Sequence, residues 1–301
     1  MTSLPALPDE VVIRDVGPRD GLQPEAPVPV EARLQLIEAL VAAGLRHIEA
    51  AAFVAAKAVP AMAGAAEVMA AVPRSGGVTY AALVPNLIGA ELALAAGADE
   101  LTVTMSMSEA YNQRNVGMSI PESEAVVAQV CQAAGPTPVD TVISCAFGSP
   151  YEGDISPAAV AEAAARLRDA GSAAITLADT TGMATPRRIA EVVAVTGVDV
   201  GLHLHDTRGT ALVCAHTAMQ LGVSRFDTSV GGLGGSPFAA GATGNLATEE
   251  LVAVLDDLGV RTGIDVERLV DAAGLLGELV GRPVPSRVAA AGPRTRLVDR
   301  A

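Results

Sequence analysis

Short runs rich in Val, Ile, Leu and Thr alternate along the chain with longer stretches in which Ala and Leu recur at helical spacing. The short runs predict strands at 11–15, 45–49, 78–84, 100–105, 139–145, 173–178, 200–205 and 225–230. Helices are predicted between them at 30–43, 59–71, 87–96, 122–133, 158–170, 186–195 and 209–221, with two more at 248–258 and 265–280. Three of these helices end in Ala-Gly just before the next strand (Ala43-Gly44, Ala96-Gly97, Ala170-Gly171), where glycine suits a left-handed cap. Strand–helix alternation needs crossover connections and hence a parallel sheet. Eight such units favour an α/β fold closed as a (β/α)8 TIM barrel. A doubly wound sheet is the alternative, weakened because no Gly-x-Gly-x-x-Gly turn follows the first strand. Residues 1–301 therefore read as one barrel domain, with 247–301 forming C-terminal helices packed on the barrel. The Arg- and Pro-rich end, 283–301, is expected to cover the barrel or fray.

Composition narrows the function. Half the residues are hydrophobic and 18% are charged, which excludes a disordered chain. Aromatics make up only 2%, so the core must come from Ala, Val, Leu and Ile, and a base-stacking surface is excluded. A formal net charge of −14 argues further against a nucleic-acid partner. Lys57 is the only lysine, so an anionic ligand must be held by a few local cations, helix N-termini or a metal. Cys131, Cys145 and Cys214 lack CxxC spacing, and a reducing cytoplasm is the expected location. The first ten residues show no secretory pattern, and no stretch offers the roughly 20 apolar residues of a membrane span.

In a barrel, functional side chains belong at the C-terminal ends of the strands. Arg19 and Asp20 follow strand one, Glu49 ends strand two, Asn86 follows strand three and Asp179 closes strand six. His203 and His205 close strand seven, and Asn245 follows a glycine-dense loop after strand eight. His203-Leu-His205-Asp206 is the sharpest signal, because residues i and i+2 of a strand face one side and both imidazoles reach one point. With a carboxylate from another strand end they would make a divalent metal site. Imidazole alone suits Zn2+, whereas added carboxylate, amide and water oxygens favour Mg2+ or Mn2+. The plainer reading is a pair of barrel histidines satisfied by their neighbours. Arg19-Asp20 lies in Gly17-Pro-Arg-Asp-Gly-Leu-Gln23. The pair either caps a turn as a salt bridge or sets a cation beside a metal-binding carboxylate, as stabilising an enolate oxygen requires. The glycine-dense stretch 231–245 has no Walker lysine and reads as a lid or as a flexible connection. Met105, Met107 and Met118 read as core or pocket lining, and Cys131 and Cys214 as buried bystanders on helices. Cys145, at a strand end, is a weaker candidate for lining the site.

Several segments then recur in a familiar order between about residues 11 and 260: Val16-Gly-Pro-Arg-Asp-Gly-Leu-Gln23, Ile48-Glu49, Leu83-Val-Pro-Asn86, Tyr151-Glu-Gly153, Asp179-Thr-Thr-Gly182, His203-Leu-His-Asp206, the paired glycines of 231–235 and Gly244-Asn-Leu-Ala-Thr-Glu249. In this set the chain resembles the hydroxymethylglutaryl-CoA lyase family, within the metal-dependent barrel lyases and Claisen-type synthases. The resemblance implies a divalent metal, Mg2+ or Mn2+, held by Asp20, His203, His205 and Asn245. It implies catalytic roles for Arg19, Glu49, Asp179, His203 and Ser236, and cofactor binding at Asn86 and Lys57. Glu49 would support the metal shell and proton transfer, Asp179 the polar network beside it, and Arg19 the thioester enolate. The implied substrate is a small acyl-CoA of the 3-hydroxy-3-methylglutaryl type, cleaved to acetyl-CoA and acetoacetate, in an enzyme whose barrel type admits a homodimer.

Three positions depart from the family. Ser236 stands where the glycine-rich lid carries a cysteine; a hydroxyl is a far weaker acid than a thiol of pKa about 8.5. The stretch Gln23-Pro-Glu-Ala26 lacks the usual lysine, and Ala52-Phe-Val-Ala-Ala-Lys57 lacks two hydroxyls. Two further readings accompany the lyase: a condensing synthase or aldolase using the same metal, and a catalytically impaired ligand-binding relative.

Overall fold

Eight parallel strands follow one another around a closed ring, β1 to β8 in chain order, with β8 paired back onto β1. They are β1 (Val12–Asp15), β2 (His47–Ala52), β3 (Thr79–Leu83), β4 (Glu100–Ser106), β5 (Val139–Ser144), β6 (Ala174–Ala178), β7 (Gly201–His203) and β8 (Arg225–Thr228). This computed structural model describes residues 7–74, 76–235 and 244–297. The predicted α/β barrel is the fold observed. The ring closes where Val12, Ile13, Arg14 and Asp15 pair with Arg225, Phe226, Asp227 and Thr228, while Asp15 pairs on its other side with Ile48 of β2.

The outer helices are α1 (Val30–Ala42), α2 (Ala65–Ala71), α3 (Leu87–Ala95), α4 (Glu109–Val116), α5 (Ile120–Ala134), α6 (Pro157–Asp169), α7 (Pro186–Thr196), α8 (Ala211–Leu221), α9 (Thr248–Leu258), α10 (Val266–Val280) and α11 (Arg287–Ala291). Their inward faces carry Leu36, Ile37, Leu40, Val127, Val130, Val160 and Ile189, all fully buried, so the core is aliphatic as the composition required. α10 packs on α1 and on the turn Val230–Gly232, and α9 and α11 pack on α10. No helix among the described residues is long and apolar enough to cross a membrane.

Several boundaries differ from expectation, for physical reasons. β2 runs on to Ala52, so Glu49 lies mid-strand rather than at its end; a register shift against β3 between Glu49 and Ala51 marks a bulge there. Residues 50–52 are alanines without periodic contrast, and all are buried. The helix predicted over 59–71 is broken by Gly64 at φ +78 into a 3-10 turn, Pro60–Met62, and α2. α4 was not predicted, because its polar sequence lacks an apolar stripe; Ser108 caps it, accepting from the Tyr111 N–H at 3.1 Å. β7 ends at His203, so His205 stands beyond the strand and meets Asn245 in an isolated antiparallel bridge. Cys131 is half-buried rather than buried.

Candidate metal centre

The residues that follow β1 form a single π-helical turn, Gly17–Gly21, in which the N–H groups of Arg19, Asp20 and Gly21 all donate to the Val16 carbonyl (3.1, 2.7 and 3.2 Å). Such turns recur at functional sites. The buried Asp15 carboxylate anchors it, accepting from the Gly17 N–H (2.7 Å), the Val230 N–H (3.0 Å) and the Thr248 hydroxyl (2.6 Å). Burial raises Asp15 to about 6 in spite of those bonds. One carboxylate thereby ties the Arg19-Asp20 turn to the segment that follows β8.

Asp20, His203 and His205 offer ligand atoms that lie within 4.8 Å of one another. His203 Nε2 faces His205 Nε2 at 3.2 Å, and Asp20 Oδ2 is 3.9 Å from His203 Nε2. Asn245 completes the group, its side-chain nitrogen donating to Asp20 Oδ2 (2.7 Å) and to the Leu233 carbonyl (2.9 Å). The His205–Asn245 bridge, with the Leu246 N–H donating to the Leu204 carbonyl at 2.9 Å, brings that asparagine beside the imidazoles. Gly234 leaves room for the approach: a Cβ there would stand 2.3 Å from Asn245 Nδ2 and 3.1 Å from Asp20 Oδ2.

The donors suit a divalent cation. Asn245 Oδ1 is buried without a hydrogen-bond partner, a costly state for a polar atom. Two imidazole nitrogens that face each other with a carboxylate and an amide oxygen form a mixed N/O set that a divalent ion satisfies. The charges are disposed accordingly. Burial raises Asp20, but the Arg19 guanidinium and the two imidazoles bring it down to about 2. Burial lowers His205 to about 3, helped by His203. His203 is also lowered by burial, yet the Asp227 carboxylate at 3.3 Å from its Nδ1 and Asp20 outweigh this and raise it.

Arg19 is 8% exposed and fully engaged: it pairs closely with Glu49 Oε2, donates to Asp20 Oδ1 at 2.5 Å, and reaches Gln23 Oε1 at 3.5 Å. Glu49 Oε1 is buried and has no partner. A cavity of about 140 Å3 opens over this group, lined by Arg19, Asp20, Thr104, Ser144, His203 and Asp227 among others. A second cavity of about 570 Å3 adjoins it at Gly235 and carries Asn245, Arg282 and Arg287.

The remaining candidates lie elsewhere. Asp179 is buried just after β6 and accepts from the N–H groups of Met183 (2.7 Å) and Ala184 (2.9 Å), with burial raising it to about 7; it shapes the loop beside the histidines. Asn86 caps α3, accepting from the Gly89 N–H at 3.0 Å, and Lys57 is exposed after β2; neither lines the two cavities. Ser236 lies outside the described residues. Sequence reasoning missed Asp227, Thr104 and Ser144. For Asp227 a signal existed, since a carboxylate in the interior of a predicted barrel strand, next to Phe226, marks a buried polar role.

Comparison with known proteins finds matches over nearly the whole chain. The HMGL-like family model matches residues 10–276. Mouse mitochondrial hydroxymethylglutaryl-CoA lyase is 43% identical over 298 residues, covering 96% of this chain and 92% of that protein. The Pseudomonas aeruginosa 3-hydroxy-3-isohexenylglutaryl-CoA/hydroxy-methylglutaryl-CoA lyase is 44% identical over 293 residues, covering 95% and 98%. Among solved structures, an HMG-CoA lyase from Acinetobacter baumannii in complex with coenzyme A and 3-methylmalate superposes over all of both chains with a TM-score of 0.92 at 37% identity.

Proposed function

Because the chain belongs to the HMGL-like family and is a carbon–carbon lyase, we propose that it cleaves 3-hydroxy-3-methylglutaryl-CoA to acetyl-CoA and acetoacetate, with Asp20, His203, His205 and Asn245 holding Mg2+ or Mn2+. The carrying observation is the meeting of those four side chains, from three distant parts of the chain, beside a small cavity that also contains Arg19. When bound, the cation would engage the substrate's 3-hydroxyl and carboxylate oxygens and make the hydroxyl more acidic.

The protein's own groups then carry the proton. Glu49, with one buried oxygen free, accepts the 3-hydroxyl proton. The C2–C3 bond breaks, C3 becomes the ketone of acetoacetate, and the electron pair moves into the thioester as the acetyl-CoA enolate. Arg19, fixed between Glu49 and Asp20, sets positive charge beside the enolate oxygen. Return of the proton from Glu49 to C2 completes acetyl-CoA and balances the reaction. The 140 Å3 cavity takes the acyl group, and the adjoining 570 Å3 cavity takes coenzyme A, whose phosphates would draw Arg282 from Glu25 and Arg287 from Asp206 and Glu250. Three free cysteines support a reducing location such as the cytoplasm.

Purified protein with Mn2+ or Mg2+ is expected to release acetyl-CoA and acetoacetate from this thioester. Failure to cleave it, or its 3-isohexenyl analogue, at any metal concentration would overturn the assignment.

A further inference from the structure

Four charged side chains carried by the barrel strands gather into one cluster: Arg14 on β1, Glu100 on β4, Asp140 on β5 and Asp227 on β8. Arg14 joins them. Its Nε and Nη2 donate to the two oxygens of Asp227 (2.8 and 2.9 Å), Nη2 also pairs with Asp140 Oδ2 (2.7 Å), and Nη1 pairs with Glu100 Oε1 (2.7 Å). Arg14 and Asp227 are 5% and 7% exposed, so this bidentate pair is shielded from water. The Oδ2 that Arg14 grips is the oxygen that lies 3.3 Å from His203 Nδ1. The other imidazole has no such support, for His205 Nδ1 is without a partner.

We propose that Asp227, clamped by Arg14, is a positioning residue that keeps a proton on His203 Nδ1 and so presents the Nε2 lone pair to the cation site. This rests on the metal reading above. A carboxylate that accepts from the far nitrogen of a metal-binding histidine fixes both its tautomer and its ring orientation. A guanidinium bound to both carboxylate oxygens removes the rotational freedom the carboxylate would otherwise have. The result is a chain of contacts from the barrel interior to one ligand: Glu100 and Asp140 hold Arg14, Arg14 holds Asp227, and Asp227 holds His203. In Asp227→Asn the amide can turn an N–H toward Nδ1, which would place the ring proton on Nε2, where it blocks the cation.

The test is Mn2+ binding by calorimetry on the purified full chain, beside a record of the histidine tautomer. Wild type should bind Mn2+. Asp227→Asn should weaken binding about ten- to a hundredfold, while Thr141→Val, which removes a buried β5 hydroxyl bonded to Ser172 and outside the Arg14 cluster, should stay near wild type. Equal weakening in both variants, or none in Asp227→Asn, would overturn the proposal and leave the metal reading standing; no Mn2+ binding by wild type would overturn both. Nitrogen-15 spectra of histidine-labelled, metal-free wild type at pH 9 decide the point even if the variants misfold. A protonated His203 Nδ1 supports the proposal, and a bare Nδ1 with a proton on Nε2 overturns it.

Discussion

Glu249 is fully buried in the first turn of α9, and both its oxygens face the Gly231 N–H at 3.1 Å. Burial pushes its carboxyl from 4.5 up to about 7, against the lowering effect of hydrogen bonds from Ser286 and Gly231. The folded protein therefore holds this proton more tightly than the unfolded chain does. The stability that this contributes is complete below about pH 4.5 and is lost as the pH rises through 7. At about 1.4 kcal/mol per pH unit, the rise from 4.5 to about 7 corresponds to about 3 kcal/mol. Glu249→Gln keeps an acceptor for Gly231 but has no proton to lose. Relative to wild type, its unfolding free energy should climb by about 3 kcal/mol between pH 4.5 and pH 8. Urea denaturation of both proteins at pH 4.5, 6 and 8, followed by circular dichroism, measures that difference directly and cancels the titration of every other group. Parallel profiles for the two proteins would refute the reasoning.

Other outcomes follow from the site. Gly234→Ala sets a methyl 2.3 Å from Asn245 Nδ2 at a φ of +115, so Mn2+ affinity should fall about tenfold or more, about 1.4 kcal/mol; calorimetry giving an unchanged affinity would contradict the crowding. Glu49→Gln should lower kcat by about 10²–10⁴ with little change in KM, and an unaltered kcat would move the proton transfer to another group. Chelation should abolish turnover, with Mn2+ restoring it, and adding Mn2+ at a hundred times its Kd should stabilise the fold by about 2.7 kcal/mol in thermal unfolding. A melting temperature indifferent to Mn2+ would count against a resident cation.

Local chemistry made much of this readable before folding. The glycines of the Ala-Gly pairs adopt the left-handed backbone expected of caps: Gly44 at φ +108, Gly97 at +81 and Gly171 at +109. His203 and His205 do meet at one point, although not for the reason expected. His205 lies beyond the strand and is placed by its bridge to Asn245, a pairing no local pattern encodes. Asn86 shows how one signal serves two readings, since an asparagine before a helix is also the commonest kind of cap, and here it caps α3. The Gly17–Gly21 turn was hidden for a similar reason: its winding depends on Asp15, whose partners Val230 and Thr248 lie more than two hundred residues away. Asp227 required knowing that Arg14 would be its neighbour across the β1–β8 pairing.

Asp20 and Asn245 are bonded across a separation of 225 residues, on either side of the junction where the last strand meets the first. Nothing short of a complete ring brings them together. A chain that has assembled seven strands owns a pair of histidines but no centre, and the contacts of largest sequence separation are those whose loop closure costs most entropy. Catalysis is in this sense a certificate of closure: a ribosome-bound or clipped fragment lacking either end stays chemically silent however well the rest of its barrel is formed.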